Sequence, residues 1–448
     1  MATAFETLTQ TTEPTQSVPS DAKVAGTAAT SDDVLIPWVK AQSLNVTRHA
    51  AALRPFRRDE FGTGAVAPTA GHLEAVNRLL ATLRRGLLQY SKGVREAAKQ
   101  AADQPATPKL LNLVDRKERA HHWVQGIEKI WDFYFELFGQ RQSRYAKWLL
   151  SCDRIALDCY RVVYLGLGVA KSIPAPPPFS YMRTGFSPLT FRRGIRLKRL
   201  GKQFNPFPLI ELPYHRLVNP WTLGAVLHEV SHNLQSDLGL SKEVPRKIAL
   251  RLLRAGLPRS VAMVWTRWNR EMFSDMAALL LGGPEVVDSL MDVIGRGPRT
   301  VVAFNKRGVH PIPYLRLFNS AELLRRMGFA REAEQYRAAW SRIYPRSLAR
   351  GIPAEILNTF PKACAVAVDA MCYQPYRALG NKSLSQVIPF SAKEQQMIGE
   401  AARRLSAGVD PGIIPERFVI GAARIAIDRR MARPGVIATN FYKTLASG

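Results

Sequence analysis

The residues best equipped for chemistry in this 448-residue chain form one pentad, His228-Glu229-Val230-Ser231-His232. On a helix, side chains four residues apart stand one above the other, so both imidazoles can reach one ion. Glu229 points about 100° round the helix from His228, beside a metal-bound water and able to take its proton without ligating the metal. A catalytic zinc ordinarily takes three protein ligands and keeps one position open. The third is expected from Trp268-Asn269-Arg270-Glu271-Met272-Phe273-Ser274-Asp275. Glu271 would be the ligand, and Asp275, one turn on, could accept the second ring N–H of a ligating histidine and fix its tautomer. Glu243 and Glu285 are the secondary candidates for the third ligand.

Two helices must hold these groups. Asn219 suits a cap and Pro220 a first helical position, and Leu223, Val226, Leu227, Val230 and Leu234 give the segment from Trp221 to Leu234 an apolar face. A second helix is expected from about Ser260 to Leu281; Met272, Met276, Ala277, Leu279 and Leu280 make it largely buried, and buried carboxylates need partners. The plainer alternatives are two core histidines or a solvated helix face. Upstream, Phe207 to Pro213 reads as a short strand whose exposed edge could pair with a substrate backbone; an ordinary proline-capped edge strand is the alternative. Downstream, His310, Tyr314 and Arg316 lie in His310-Pro311-Ile312-Pro313-Tyr314-Leu315-Arg316. Any of the three could stabilise an oxyanion, or the segment is a rigid turn leading into the next helix.

The pentad with its downstream Glu-xxx-Asp resembles the gluzincin branch of zinc metallopeptidases, the thermolysin-like type, over roughly residues 180–320. The resemblance implies a zincin-like core in which His228, His232 and Glu271 ligate zinc, Glu229 is the general base and Asp275 orients His228 or His232. It implies hydrolysis of a peptide or protein substrate. The metzincin pattern does not fit, because Gln235 and Leu238 stand where its glycine and third histidine would be. A His-Pro followed closely by Arg, as at His310 to Arg316, also resembles an element of some membrane-associated HExxH peptidases.

The rest of the chain is read as the frame for this site. Residues 1–36 lack large apolar side chains for most of their length and are expected to form a loose tail. A helical N-terminal region follows over 37–173, with Leu73, Val76, Leu79, Leu80 and Leu83, then Trp123, Ile127, Ile130, Trp131 and Phe135, at helical period. The zincin-like domain would occupy 174–344, with a small sheet between Tyr181 and Pro213 and glycine stops at Gly239, Gly282, Gly283 and Gly295. A helical C-terminal region covers 345–448, with helices near Ala363–Met371, Ala392–Leu405 and Arg417–Met431. The expected class is α+β, mostly α.

Composition narrows the alternatives. Apolar residues make up 46% and charged residues 22%, which excludes a disordered or collagen-like chain. The longest apolar stretch, Val162 to Ala170, is nine residues, about half the ~20 a membrane span needs. Cys152, Cys159, Cys364 and Cys372 match no CxxC pattern and read as reduced thiols. No secretory signal is evident, so a cytoplasmic location is expected. The formal net charge is +27, a field that favours anionic partners. Phe191 to Phe204 carries Arg192, Arg193, Arg196, Lys198, Arg199 and Lys202 without an acid and could be a strand with one cationic face rimming the cleft. An acidic peptide fits that charge, and nucleic acid less well because the basic residues are spread along the whole chain. The alternative to an enzyme is a catalytically weak zincin-fold binding or regulatory protein whose basic surface contacts nucleic acid or an acidic partner.

Overall fold

A computed structural model describes residues 31–168, 172–197 and 200–447. Most of the tail expected over 1–36 lies outside the described residues, as do Lys198 and Arg199 of the basic segment; residues 31–36 are helical. Helices of ten residues or more are numbered in chain order. The first four are α1 (Ser31–Ala52), α2 (Ala70–Asp103), α3 (Thr107–Gly139) and α4 (Ala146–Gly166). After the sheet come α5 (Gly224–Asp237), α6 (Leu240–Arg254), α7 (Arg259–Gly282), α8 (Glu285–Ile294), α9 (Pro313–Arg326) and α10 (Ala330–Ile343). The C-terminal group is α11 (Ala354–Val368), α12 (Ala392–Ala407), α13 (Phe418–Asp428) and α14 (Pro434–Ser447). With three short strands, β1 (Phe179–Met182), β2 (Leu189–Phe191) and β3 (Leu209–Leu212), the class is α+β and mostly α. Among the described residues no helix is long and apolar enough to cross a membrane.

The chain divides into two compact units. The smaller takes residues 31–49 and 89–121 and is held by Val39, Val46, Val94, Ala97, Leu113 and Ala120. The larger takes 50–88 and 122–447 and contains every expected site residue. Within it, Leu73, Val76 and Leu80 of α2 and Ile127 and Ile130 of α3 join an aromatic cluster with Phe61, Phe138, Phe179 and Phe207. Edge-on ring pairs such as Phe61–Phe138 at 5.4 Å and Phe138–Phe179 at 5.3 Å are the favoured aromatic geometry. Trp123 and Phe135, on the expected apolar stripe, stay 36% and 44% exposed.

The sheet has the order β1-β3-β2, with β1 parallel and β2 antiparallel to β3. All four residues of β3 are buried, Glu211 among them, whose carboxylate accepts the Tyr181 hydroxyl at 2.6 Å. This corrects the expectation that Phe207 to Pro213 offers an exposed edge: both backbone sides of β3 are already paired. The strand facing the cavity described below is β2. The basic segment departs from expectation as well. The strand ends at Phe191, a single bridge joins Arg196 to Phe204, and Gly194 takes φ 72°. Arg193 turns away from solvent and donates to the carbonyls of Pro174, Ala175, Pro176 and Pro206.

The largest core joins α4 to the helices after the sheet, with Trp265 and Trp268 of α7 and Trp340 of α10 almost fully buried. Among the glycines read as helix stops, Gly239, Gly283 and Gly295 cap helices. In the C-terminal region α11 starts earlier than its apolar period indicates and runs into a π-helical turn, Asp369–Tyr373. The four cysteines are buried and unpaired, and burial raises their thiols well above the ordinary value.

Candidate metal centre

Helix α5 carries the pentad. It is preceded by a 3-10 turn, Pro220–Thr222, with Pro220 at its first position; Asn219 makes no side-chain cap and donates instead to the His215 carbonyl. Val226, Leu227, Val230 and Leu234 bury one face of α5 in the large core. At its start Gly224 lets α8 approach so closely that an added Cβ would stand 2.6 Å from the Cβ of Ser289. Polar ties fix its rotation. Gln235 donates to Asn269 of α7 at 3.3 Å, and Asn233 donates to the Thr190 hydroxyl of β2 at 2.8 Å. The hydroxyl of Thr190 in turn reaches the Leu209 carbonyl of β3 at 3.0 Å. In the sequence Asn233 and Asn269 carry no assigned role, and Gln235 enters only as a departure from the metzincin pattern. Each is 8% exposed or less, but their partners lie 34 or 43 residues away in the chain and no spacing announces them.

On this frame His228 Nε2 and His232 Nε2 stand 3.2 Å apart. The Glu271 carboxylate of α7 lies 3.6 Å from His228 Nε2 through one oxygen and 3.4 Å from His232 Nε2 through the other. Around a tetrahedral ion at ~2.0–2.1 Å, donor atoms sit roughly 3.3–3.4 Å apart. The two nitrogens stand at about that separation and each lies within 3.6 Å of one carboxylate oxygen, so the three residues form a group able to hold a metal. Glu243 and Glu285 stand elsewhere: Glu243 approaches the Ala378 backbone N–H and Glu285 accepts from Gln395.

Asp275, one turn beyond Glu271, resolves which histidine it orients. Its Oδ1 lies 2.9 Å from His228 Nδ1. The same carboxylate accepts two bonds from Arg316 of α9, Nε to Oδ2 at 2.8 Å and Nη2 to Oδ1 at 2.7 Å. Arg316 is thus committed to Asp275 and approaches Glu271 only at 3.8 Å. His310 places Nδ1 3.3 Å from Glu271, and its side chain is 70% exposed. Tyr314 is buried with its ring edge-on to Phe318 at 5.3 Å, and it does not line the cavity. Of the three expected oxyanion donors, the structure therefore brings His310 and Arg316 to the site and turns Tyr314 away. The reason is register: Tyr314 and Arg316 are two residues apart, about 200° round the helix, so α9 turns them to nearly opposite faces.

Burial and charge set the protonation of the cluster. Burial opposes charge on His228, but hydrogen bonds to Asp275 and Glu271 overcome it and lift its pKa to about 10. His232 is driven down to about 3 by burial and by the charge on His228. Burial raises Glu229 to about 7 against the pull of His228. Glu271 and Asp275, although buried, are held below the ordinary carboxylate range. Hydrogen bonds from His228 and His310 act on Glu271, and the Arg316 charge and a bond from His228 act on Asp275.

These groups open onto a cavity of about 830 Å³. Leu279, Val286, Val287 and Ile294 form an apolar wall, while Pro188, Leu189 and Thr190 bring β2 to it. Glu229 lines the same space beside the two histidines.

No protein-family model, curated protein or solved structure matches this chain. The geometry of the site therefore carries the functional reading.

Proposed function

We propose that the protein is a zinc-dependent peptidase of the gluzincin kind. The observation that carries this reading is the convergence of two imidazole nitrogens and the Glu271 carboxylate, with Glu229 beside them, on the wall of one cavity. The donor set of two nitrogens and a carboxylate suits zinc, and bound there the ion would polarise a water and the substrate carbonyl. His228, His232 and Glu271 would hold it. Asp275 accepts the His228 Nδ1–H, which leaves Nε2 with its lone pair free to ligate.

Glu229 takes the proton of the attacking water as the oxygen bonds to the carbonyl carbon. It then passes the proton to the amine as the C–N bond breaks. A carboxyl raised to about 7 sits where acceptance and return of a proton are both accessible near neutral pH. The His310 ring turns Nδ1 toward Glu271, and that hydrogen bond raises its pKa; as the imidazolium it would offer its Nε2–H to the developing oxyanion. Arg316 holds Asp275 rather than substrate.

The test is Glu229→Gln. Purified native protein should contain about one zinc per chain and cleave peptides in a chelator-sensitive way. The variant should keep its zinc and lose hydrolysis, and full activity in the variant rejects Glu229 as the base.

A further inference from the structure

The cavity wall is unbalanced in charge. Five arginines line it, at 192, 267, 270, 296 and 316, against three carboxylates, Glu229, Glu271 and Asp275. Arg316 is absorbed by Asp275, and Glu271 faces the histidines. That leaves four guanidiniums which, among the described residues, have no carboxylate partner. Two of the four have other partners. Arg267 donates to the Lys306 carbonyl, and Arg296 lies over the Phe186 ring and reaches the Ser187 hydroxyl. Arg192, just beyond β2, and Arg270, next to the ligand Glu271 on α7, also line the cavity, and among the described residues neither guanidinium has a hydrogen bond or ion pair. There, burial and then the charge of Arg270 hold the Arg192 guanidinium below its ordinary pKa. Arg270 is exposed and Arg192 half-buried, so an anion entering the cavity can meet both charges.

We propose that Arg192 and Arg270 form a carboxylate-binding subsite beside the metal centre, so that the preferred peptide carries a carboxylate next to its reacting segment. The inference rests on the peptidase reading for what the peptide is, but its chemistry is a binding preference and is measurable without turnover. A guanidinium can take a carboxylate through two parallel N–H bonds, and two guanidiniums can share its oxygens. The carboxylate has two possible sources, a Glu or Asp side chain or a free peptide C-terminus. The apolar wall of the same cavity would take a neighbouring aliphatic or aromatic side chain.

The experiment measures binding of fluorescent peptides to zinc-loaded Glu229→Gln protein by anisotropy. Three peptides share one apolar sequence: one with Glu and an amidated C-terminus, its Gln counterpart, and the Gln peptide with a free carboxylate. The preference expected for a carboxylate peptide over the amidated Gln peptide is about tenfold or more. Preference for the Glu peptide identifies a side-chain carboxylate, and preference for the free-ended peptide identifies the terminus. In Arg192→Gln and Arg270→Gln the preference should fall toward unity, with zinc content and thermal midpoint unchanged, and Arg192→Lys should restore part of it. Equal binding of all three peptides overturns the inference, as does a preference that survives both glutamine variants. If the preference is found while the native enzyme cleaves none of the peptides, the subsite stands and the peptidase reading fails.

Discussion

Replacing Asp275 by Asn isolates the group that ties the proposed metal ligands to the rest of the fold. The carboxylate is 5% exposed, Arg316 is 8% exposed, and the two share bonds of 2.7 and 2.8 Å. The third bond, from His228 Nδ1 at 2.9 Å, falls on the same oxygen that Arg316 Nη2 uses. Asn fills the same volume but removes the charge. One of its two ends must also present N–H groups to a donor. Breaking a buried ion pair from one side costs about 3–5 kcal/mol, because the remaining charge stays buried without its partner. Losing the acceptor behind a ligating histidine weakens metal binding about 10–100-fold. Urea unfolding in the presence of a chelator measures the first effect, and zinc competition against a fluorescent chelator measures the second. Arg316→Met alone and combined with Asp275→Asn completes a cycle; the double variant should be less destabilised than the two single losses added together. A loss of stability under about 1 kcal/mol in Asp275→Asn, together with unchanged zinc affinity, would refute the claim that this carboxylate holds both partners.

Two other outcomes follow from packing and burial. His72, buried against Phe179 and Phe207, has Nε2 2.9 Å from the Pro177 carbonyl, and burial lowers its pKa to about 4. Its stabilising contribution is complete above the unfolded value near 6.5 and is lost as pH falls through about 4. Between those pH values native protein should lose on the order of 3 kcal/mol more stability than His72→Gln, and parallel pH profiles would contradict this. Gly224→Ala should destabilise by about 1–3 kcal/mol through overpacking against Ser289, and an unchanged melting midpoint would show that α8 yields freely.

Local pattern carried the pentad helix, the second helix with Glu271 and Asp275, and the mostly helical class, because apolar period and chain-local spacing encode them directly. What escaped depends on pairings between distant segments. Nothing near Leu209–Leu212 distinguishes a central strand from an edge, since strand order is decided by Phe179–Met182 and Leu189–Phe191 on either side. Arg316 was read as an oxyanion donor because its type allows it; its engagement with Asp275, 41 residues earlier, is visible only when α7 and α9 pack together. Tyr314 sits two residues before Arg316, yet its ring goes to Phe318. The unpaired Arg192 was buried among other basic residues in the sequence, and only the cavity separates it from Arg193, which clamps four carbonyls.

The central claim is that His228, His232 and Glu271 together hold one metal ion. Titration of chelator-stripped protein with zinc, run side by side on the native chain and on His232→Ala, tests it most directly. The account predicts one tight equivalent per native chain and at least about a hundredfold weaker binding in the variant. Equal affinity in the two, or no binding to either, would contradict it.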